Sequence, residues 1–197
     1  MVIASSTRRS WVWRCVRGGV SLGLLTALVL HFVLSDVPAA ELQDSPFELK
    51  AAFLYNFAKF TEWPDYALAS DTSTFLICVS GEVEHAAAAE RLLRDKQVQG
   101  HPVVARVVTT VDDAKPCRVL FVEAGAGHLS NRTWRLMTAF PILTVGEAQG
   151  FLGDGGIIHL VLEEGRLRFE ISPQAAARAQ LKISSKLLKL GRIVETP

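Results

Sequence analysis

A single α/β domain with an open, mixed β-sheet and helices on both faces, in three layers, is the fold class this sequence predicts. Three observations predict it. Strand-like apolar runs alternate with helix-like stretches through most of the chain, the order that builds a largely parallel sheet covered on both sides. Two late runs, residues 157–163 and 166–172, are separated only by Glu164-Gly165 and read as an antiparallel hairpin. Setting aside an N-terminal leader of 40 residues leaves 157, enough for one domain with its own core.

The leader is read from residues 1–40. Arg8, Arg9, Arg14 and Arg17 form a basic start, residues 18–34 are uncharged and mostly apolar, and Val37-Pro38-Ala39-Ala40 offers small residues for cleavage. Arg8-Arg9-Ser10-Trp11 loosely resembles a twin-arginine signal, although Sec-type export is the expectation. The apolar run is long for a leader and just short of a comfortable membrane span, so an uncleaved N-terminal anchor is the structural alternative. No cysteine follows the run where a lipoprotein signal needs one. The expected division is a signal peptide over 1–40 and an exported α/β domain over 41–197.

Removing the leader takes away four arginines and Asp36, leaving 17 basic and 19 acidic residues and a net charge of −2. With no basic excess and no basic–aromatic interleaving, nucleic acid is disfavoured as a partner. Two cysteines remain, Cys78 and Cys117. An even count in an exported chain suggests a disulfide, and closing a loop of about 40 residues would stabilise by roughly 4 kcal/mol on the chain-entropy model. The alternative is two buried free thiols.

The elements follow in order. FELKAAFLYNFAKFTEWP (47–64) reads as one helix, with Ser45 as N-cap, Pro46 at the first position and Glu48 completing a capping box. Pro64 disfavours helical backbone at Trp63, which predicts a stop near Glu62. Leu49, Phe53, Leu54, Phe57, Ala58 and Phe60 spread round most of the circumference, so this is a largely buried helix. Glu48, Ala52, Tyr55 and Lys59 fall on one line with Asn56 beside it. That stripe is either the wet edge of a core helix or, with Tyr55, Asn56, Lys59 and Trp63, a groove or interface used by a partner or ligand. A polar loop over 65–73 precedes a buried strand over 74–80. Residues 82–96 are an alanine-rich helix closed by Gly100, and 103–109 and 118–123 are strands. Ser130 or Asn131 is suited to cap a short helix reaching Ala139. A short strand over 141–145 and a turn over 147–153 lead into the hairpin. Ser172 caps a helix with Pro173 at its first position, and Ser184 or Ser185 caps a last helix with an apolar stripe of Leu187, Leu188, Leu190, Ile193 and Val194. The sum is Rossmann-like.

Catalytic motifs are scarce. His85, His101, His128 and His159 stand at no ligand spacing, and neither HExxH, CxxC, GxSxG nor SxxK occurs in residues 41–197. Gly125-Ala126-Gly127-His128-Leu129-Ser130 follows a strand as a dinucleotide loop would, but Ser130 replaces the third glycine. Gly153-Asp154-Gly155-Gly156 reads as a tight turn. No catalytic residue, cofactor or metal is therefore expected.

Several blocks together resemble the YfiR family of periplasmic regulators: LKAAFLYNFAKFTEWP (49–64), the cysteine of FLICVSG, Cys117 before RVLFVE, LTVGE (143–147), GGIIHL (155–160), RLRFEISPQAA (166–176) and LKISSKLLKL (181–190). The resemblance spans nearly all of residues 41–197. It implies a periplasmic protein that is not an enzyme and that represses a membrane-bound diguanylate cyclase by binding its periplasmic sensor domain, lowering cyclic-di-GMP and with it biofilm formation. It also implies a homodimer, an outer-membrane lipoprotein able to sequester the repressor, and a Cys78–Cys117 bridge. A second bridge found in some relatives has no cysteines here. Gln180 stands where relatives often carry glycine, which predicts a strained turn, and Ser172 stands where they often carry asparagine. The alternative function is a periplasmic small-ligand binder feeding another membrane sensor such as a histidine kinase.

Overall fold

The chain opens with helix α1 (Pro46–Lys59) in a computed structural model that describes residues 46–68, 74–125 and 134–196. The N-cap expected of Ser45 lies outside the described residues, as do the leader, residues 126–130 of the glycine loop and the caps proposed for Ser130 and Asn131. Phe47, Ala51, Leu54, Phe57 and Ala58 bury one face of α1 almost completely. The helix ends at Lys59, earlier than Pro64 alone predicts. Thr61 is the reason. Its hydroxyl donates to the Phe57 carbonyl at 2.8 Å, and strand β1 (Thr61–Glu62) then pairs antiparallel with strand β9 (Lys182–Ile183), Thr61 facing Ile183. The following loop holds a one-turn helix, α2 (Asp65–Leu68).

Next come strand β2 (Phe75–Ser80), helix α3 (Val83–Leu93), strands β3 (Gln97–Val98) and β4 (His101–Val107), and one-turn helix α4 (Val111–Ala114). Strand β5 (Val119–Val122), a 3-10 helix (Trp134–Ala139) and strand β6 (Leu143–Gly146) follow. The hairpin is β7 (Ile158–Glu163) and β8 (Arg166–Ile171). Glu164 and Gly165 both have positive φ, 52° and 74°, the backbone that a tight hairpin turn requires. Helix α5 (Pro173–Arg178) starts as expected, with the Ser172 hydroxyl accepting from the Ala175 amide at 3.1 Å. Gln180 has a φ of 59°, the left-handed backbone that a glycine would take without strain.

The final helix is only one turn, α6 (Ser185–Leu188), capped by Ser184. The chain then forms edge strand β10 (Arg192–Ile193), so Leu190 and Ile193 lie exposed instead of completing a helical stripe. Gly191 allows the change of course, because any β-carbon there would meet the Phe169 ring.

The main sheet has eight strands in the order β10-β8-β7-β6-β5-β2-β4-β3. β2, β4, β5, β6 and β7 are mutually parallel along it, β8 runs antiparallel to β7, and β10 parallel to β8. This is the open mixed sheet expected from the sequence. Two apolar layers cover it. One joins α1, α3 and α5 to the sheet through Phe57, Ile77, Ala89, Val145 and Ile158. The other lies on the opposite face and gathers Cys78, Cys117, Leu120, Trp134, Ile142 and Phe151. Ala51 and Ala58 on α1 and Ala86 and Ala89 on α3 are all buried, and the two helices pack along each other through such small side chains.

Phe151 fixes the second layer. Its ring stacks on Trp134 with centroids 4.4 Å apart and lies against the backbones of Gly146 and Gly156, where a β-carbon would collide with it. Packing thus accounts for Gly156, and a φ of 99° accounts for Gly155. Gly156→Ala is expected to lower stability by about 1–3 kcal/mol through overpacking. In a Phe151→Ala background the ring's share of that cost should be lost, leaving the smaller part owed to the Phe151 carbonyl, and urea unfolding of the four proteins in this cycle measures it.

Candidate functional site

In open α/β sheets, ligands bind outside the carboxyl ends of parallel strands, where the chain reverses its direction of winding. Here that point lies between β2 and β5, since β4 takes the other side of β2. It is occupied by the protein itself. Glu123, the residue after β5, accepts from the Glu82 amide at 3.2 Å, and its other oxygen lies 2.7 Å from His85 Nδ1. Gly81 leaves the space, as a β-carbon there would run into the Glu123 carboxylate. The His85 ring stacks flat on Phe47, with centroids 4.4 Å apart. The positive end of α3, which would attract a phosphate in a nucleotide-binding relative of this architecture, is thus satisfied by an internal carboxylate. Nothing in the sequence singles out Glu123 beyond its position after a strand.

Next to this plug, Lys50 of α1 pairs with Glu147 at 2.7 Å, and both are mostly buried. Its ammonium also lies within 6 Å of the Phe47 and Phe121 ring centroids, close enough for cation–π attraction. Glu147 follows β6 and directs its carbonyl to His159 Nε2 at 3.3 Å. The other ring nitrogen of His159 lies 3.0 Å from Glu170. Burial alone would raise the Glu170 carboxyl, but hydrogen bonds from His159 and Arg192 outweigh it and hold the group below its usual value. Arg192 also reaches Glu163 at 3.3 Å, so one residue of β10 ties two hairpin carboxylates together.

A groove of about 580 Å³ opens between the first turns of α1 and the hairpin. Lys50, Glu147 and His159 lie at its polar end, and Leu49, Leu162 and Leu167 line its apolar side. The sequence reading placed Leu49 with the buried residues of α1. It is instead half exposed and faces this groove, because the hairpin overhangs the sheet without closing on the helix.

The residues singled out on α1 divide. Tyr55, Asn56 and Lys59 share one face: the Tyr55 hydroxyl donates to the Gln97 carbonyl at 3.2 Å, and the Lys59 ammonium stands 5.5 Å from the Tyr55 ring centroid. Trp63 is not with them. Strand β1 turns it inward, where it is 6% exposed and packs edge-on against Phe75 at 5.1 Å. Cys78 and Cys117 are joined in a disulfide, with Cα atoms 5.9 Å apart and both residues fully buried. The bridge ties the middle of β2 to the entrance of β5, its neighbour in the sheet. Among the described residues, no cluster of three or more His, Cys, Asp or Glu suited to a metal forms, and no helix is long and apolar enough to cross a membrane.

Among the described residues, the domain is an open α/β fold whose switch point carries an internal carboxylate and whose surface offers a groove and a polar helix face. A model of the YfiR/HmsC-like family matches residues 47–192, and the chain belongs to that family. The match takes in α1 from its second residue, the plug, the groove and the eight-stranded sheet up to the first residue of β10.

Two measurements check this description. Replacing Cys78 and Cys117 together with serine should lower stability by about 2–5 kcal/mol, and intact mass should rise by two hydrogens when the wild-type bridge is reduced under denaturing conditions. The ion-pair network at Glu170 should stabilise the fold fully above the ordinary carboxylate value of 4.5 and lose that contribution as the pH falls through the lowered folded-state value. The gap in unfolding midpoint between wild type and Glu170→Gln should therefore hold from pH 7 to about pH 5 and shrink towards pH 3.

Proposed function

We propose that residues 41–197 are a periplasmic domain, released from a signal peptide over 1–40, which represses a membrane-bound diguanylate cyclase by binding its periplasmic sensor domain. The observation that carries this reading is the family match across the folded domain, because the YfiR/HmsC-like family is one of regulators of diguanylate cyclase signalling rather than of enzymes. Occupation of the nucleotide position by Glu123 agrees with a protein that works by docking. On this reading repression is a population shift: the domain binds the inactive state of the cyclase more tightly than the active one. An outer-membrane lipoprotein that competes for the same surface relieves it, and the repressor acts as a homodimer.

Tyr55, Asn56 and Lys59 are proposed as part of the docking surface, with Trp63 holding the end of the helix from beneath. Deleting the gene should raise cyclic-di-GMP. Lys59→Glu should weaken binding to the sensor domain about tenfold, or about 1.4 kcal/mol, at an unchanged unfolding midpoint. Unchanged cyclic-di-GMP in the deletion strain would overturn the reading, and unchanged affinity in the variant would return the stripe to being the wet edge of a core helix.

The groove beside Lys50 favours a second reading, a small-ligand binder feeding another membrane sensor such as a histidine kinase. A ligand at a hundred times its Kd stabilises by about 2.7 kcal/mol, so thermal-shift screening with amino acids and cell-wall fragments separates the two.

A further inference from the structure

The two edges of the main sheet are treated differently. Along β4 the outer amides are satisfied. The Val103 amide donates to the Lys96 carbonyl at 3.0 Å, and the Ala105 amide donates to the Glu90 carboxylate of α3 at 2.8 Å. A side chain from a neighbouring helix therefore blocks the place where a further strand would bond.

The β8 edge has no such guard among the described residues. β8 pairs with β7 along all six of its residues, but with β10 only at Glu170 and Ile171. The Ile171 carbonyl accepts from the Val194 amide on the outer side. Backbone groups alternate along a strand, so those of Leu167 and Phe169 point outward as well. Past Glu170 the ladder stops, and at Leu167 no strand or side chain among the described residues takes over. A shallow cleft of about 370 Å³ lies over the face of the hairpin that carries Arg168, reaching from Val161 and Glu163 of β7 to Leu190 beyond the edge, and Leu190 is exposed.

Side chains give this edge a sign. Arg166, Arg168 and Glu170 project from one face of β8, and Leu167, Phe169 and Ile171 from the other. Glu170 is bonded to His159 and Arg192, and Glu163, opposite Arg166 in register, also turns to Arg192. Arg166 and Arg168 are exposed and make no ion pair among the described residues.

We propose that the outer edge of β8 over Arg166–Phe169 accepts an extended segment of a partner protein as an additional strand. Acidic side chains of that segment face Arg166 and Arg168, and apolar ones alternate with them beside Leu167. Main-chain bonds at Leu167 supply the attachment, and the arginine pair supplies the selection. A second copy of this chain suits the place poorly. Antiparallel pairing of two β8 edges in one continuous sheet needs a two-fold axis perpendicular to it, which sets the arginines of both copies side by side on one face. The inference goes beyond the repressor reading and holds whichever partner supplies the strand.

The test uses an eight-residue capped peptide alternating glutamate and valine, the same peptide with lysine for glutamate, and the glutamate peptide N-methylated at alternate amides. With wild-type protein, hydrogen exchange at the Leu167 amide should slow at least tenfold on adding the glutamate peptide. It should stay unchanged with the lysine and N-methylated peptides. Arg166→Glu with Arg168→Glu should reverse the charge preference, and Leu167→Pro, which removes the outward amide without touching the β7 ladder, should abolish binding. Equal effects of the glutamate and lysine peptides, or no slowing with any of them, would overturn the proposal. So would protection of Leu167 that rises with the concentration of the protein alone, which would assign the edge to a second copy.

Discussion

Burial of α1 is the constraint on which the rest of this structure depends. Phe47, Ala51, Leu54, Phe57 and Ala58 are each exposed by 2% or less, and full burial of a large apolar side chain contributes about 1.5–3 kcal/mol. Phe57 and Phe53 meet Phe169 of the hairpin edge to face, with centroids 4.9 and 6.1 Å away, so the helix also anchors the antiparallel hairpin of the sheet. Because Phe169 is held there, the strand before it projects beyond the core. The groove beside Leu49 and the open edge of β8 both follow from that overhang. At the other end of α1, Phe47 supports the stacked His85 and through it the Glu123 plug.

The plug bears on what a fold of this kind is free to bind at its switch point. A helix terminus at the carboxyl end of a parallel sheet is a ready anion site only while its amides are free. Glu123 takes the Glu82 amide, and Lys50, beside it, is already paired with Glu147. Among the described residues, the charges at this point are paired internally. On the proposed reading, selectivity is left to surfaces: the face of Tyr55, Asn56 and Lys59, the leucine-lined groove and the arginine pair of β8.

How legible was this in the sequence? Local chemistry was legible where a few neighbouring residues decide it. Glu164-Gly165 gave the hairpin turn, Ser172-Pro173 gave the start of α5, and the continuous apolar runs gave the buried strands. Four strands of two residues each, at Thr61, Gln97, Lys182 and Arg192, were not visible, because two residues carry no periodicity and only the partner strand defines them. The end of α1 was missed for the same reason: Pro64 sets an outer limit, while pairing of Thr61 with Ile183 sets the real one. On the candidate site, helical spacing correctly brought Tyr55, Asn56 and Lys59 together. It could not place Trp63, which lies after the helix, nor show that the hairpin stops short of Leu49.

The disulfide has a consequence for how the molecule is made. Cys78 and Cys117 have no exposed surface, and each is enclosed by the layer of Leu120, Trp134 and Ile142 on the outer face of the sheet. Oxidoreductases act by direct attack of a thiolate on sulfur, so the finished domain offers them nothing to attack. Cross-linking must come while the chain is still open enough to be reached. Once β2 and β5 have closed over the bond, later changes in ambient thiols pass the native protein by.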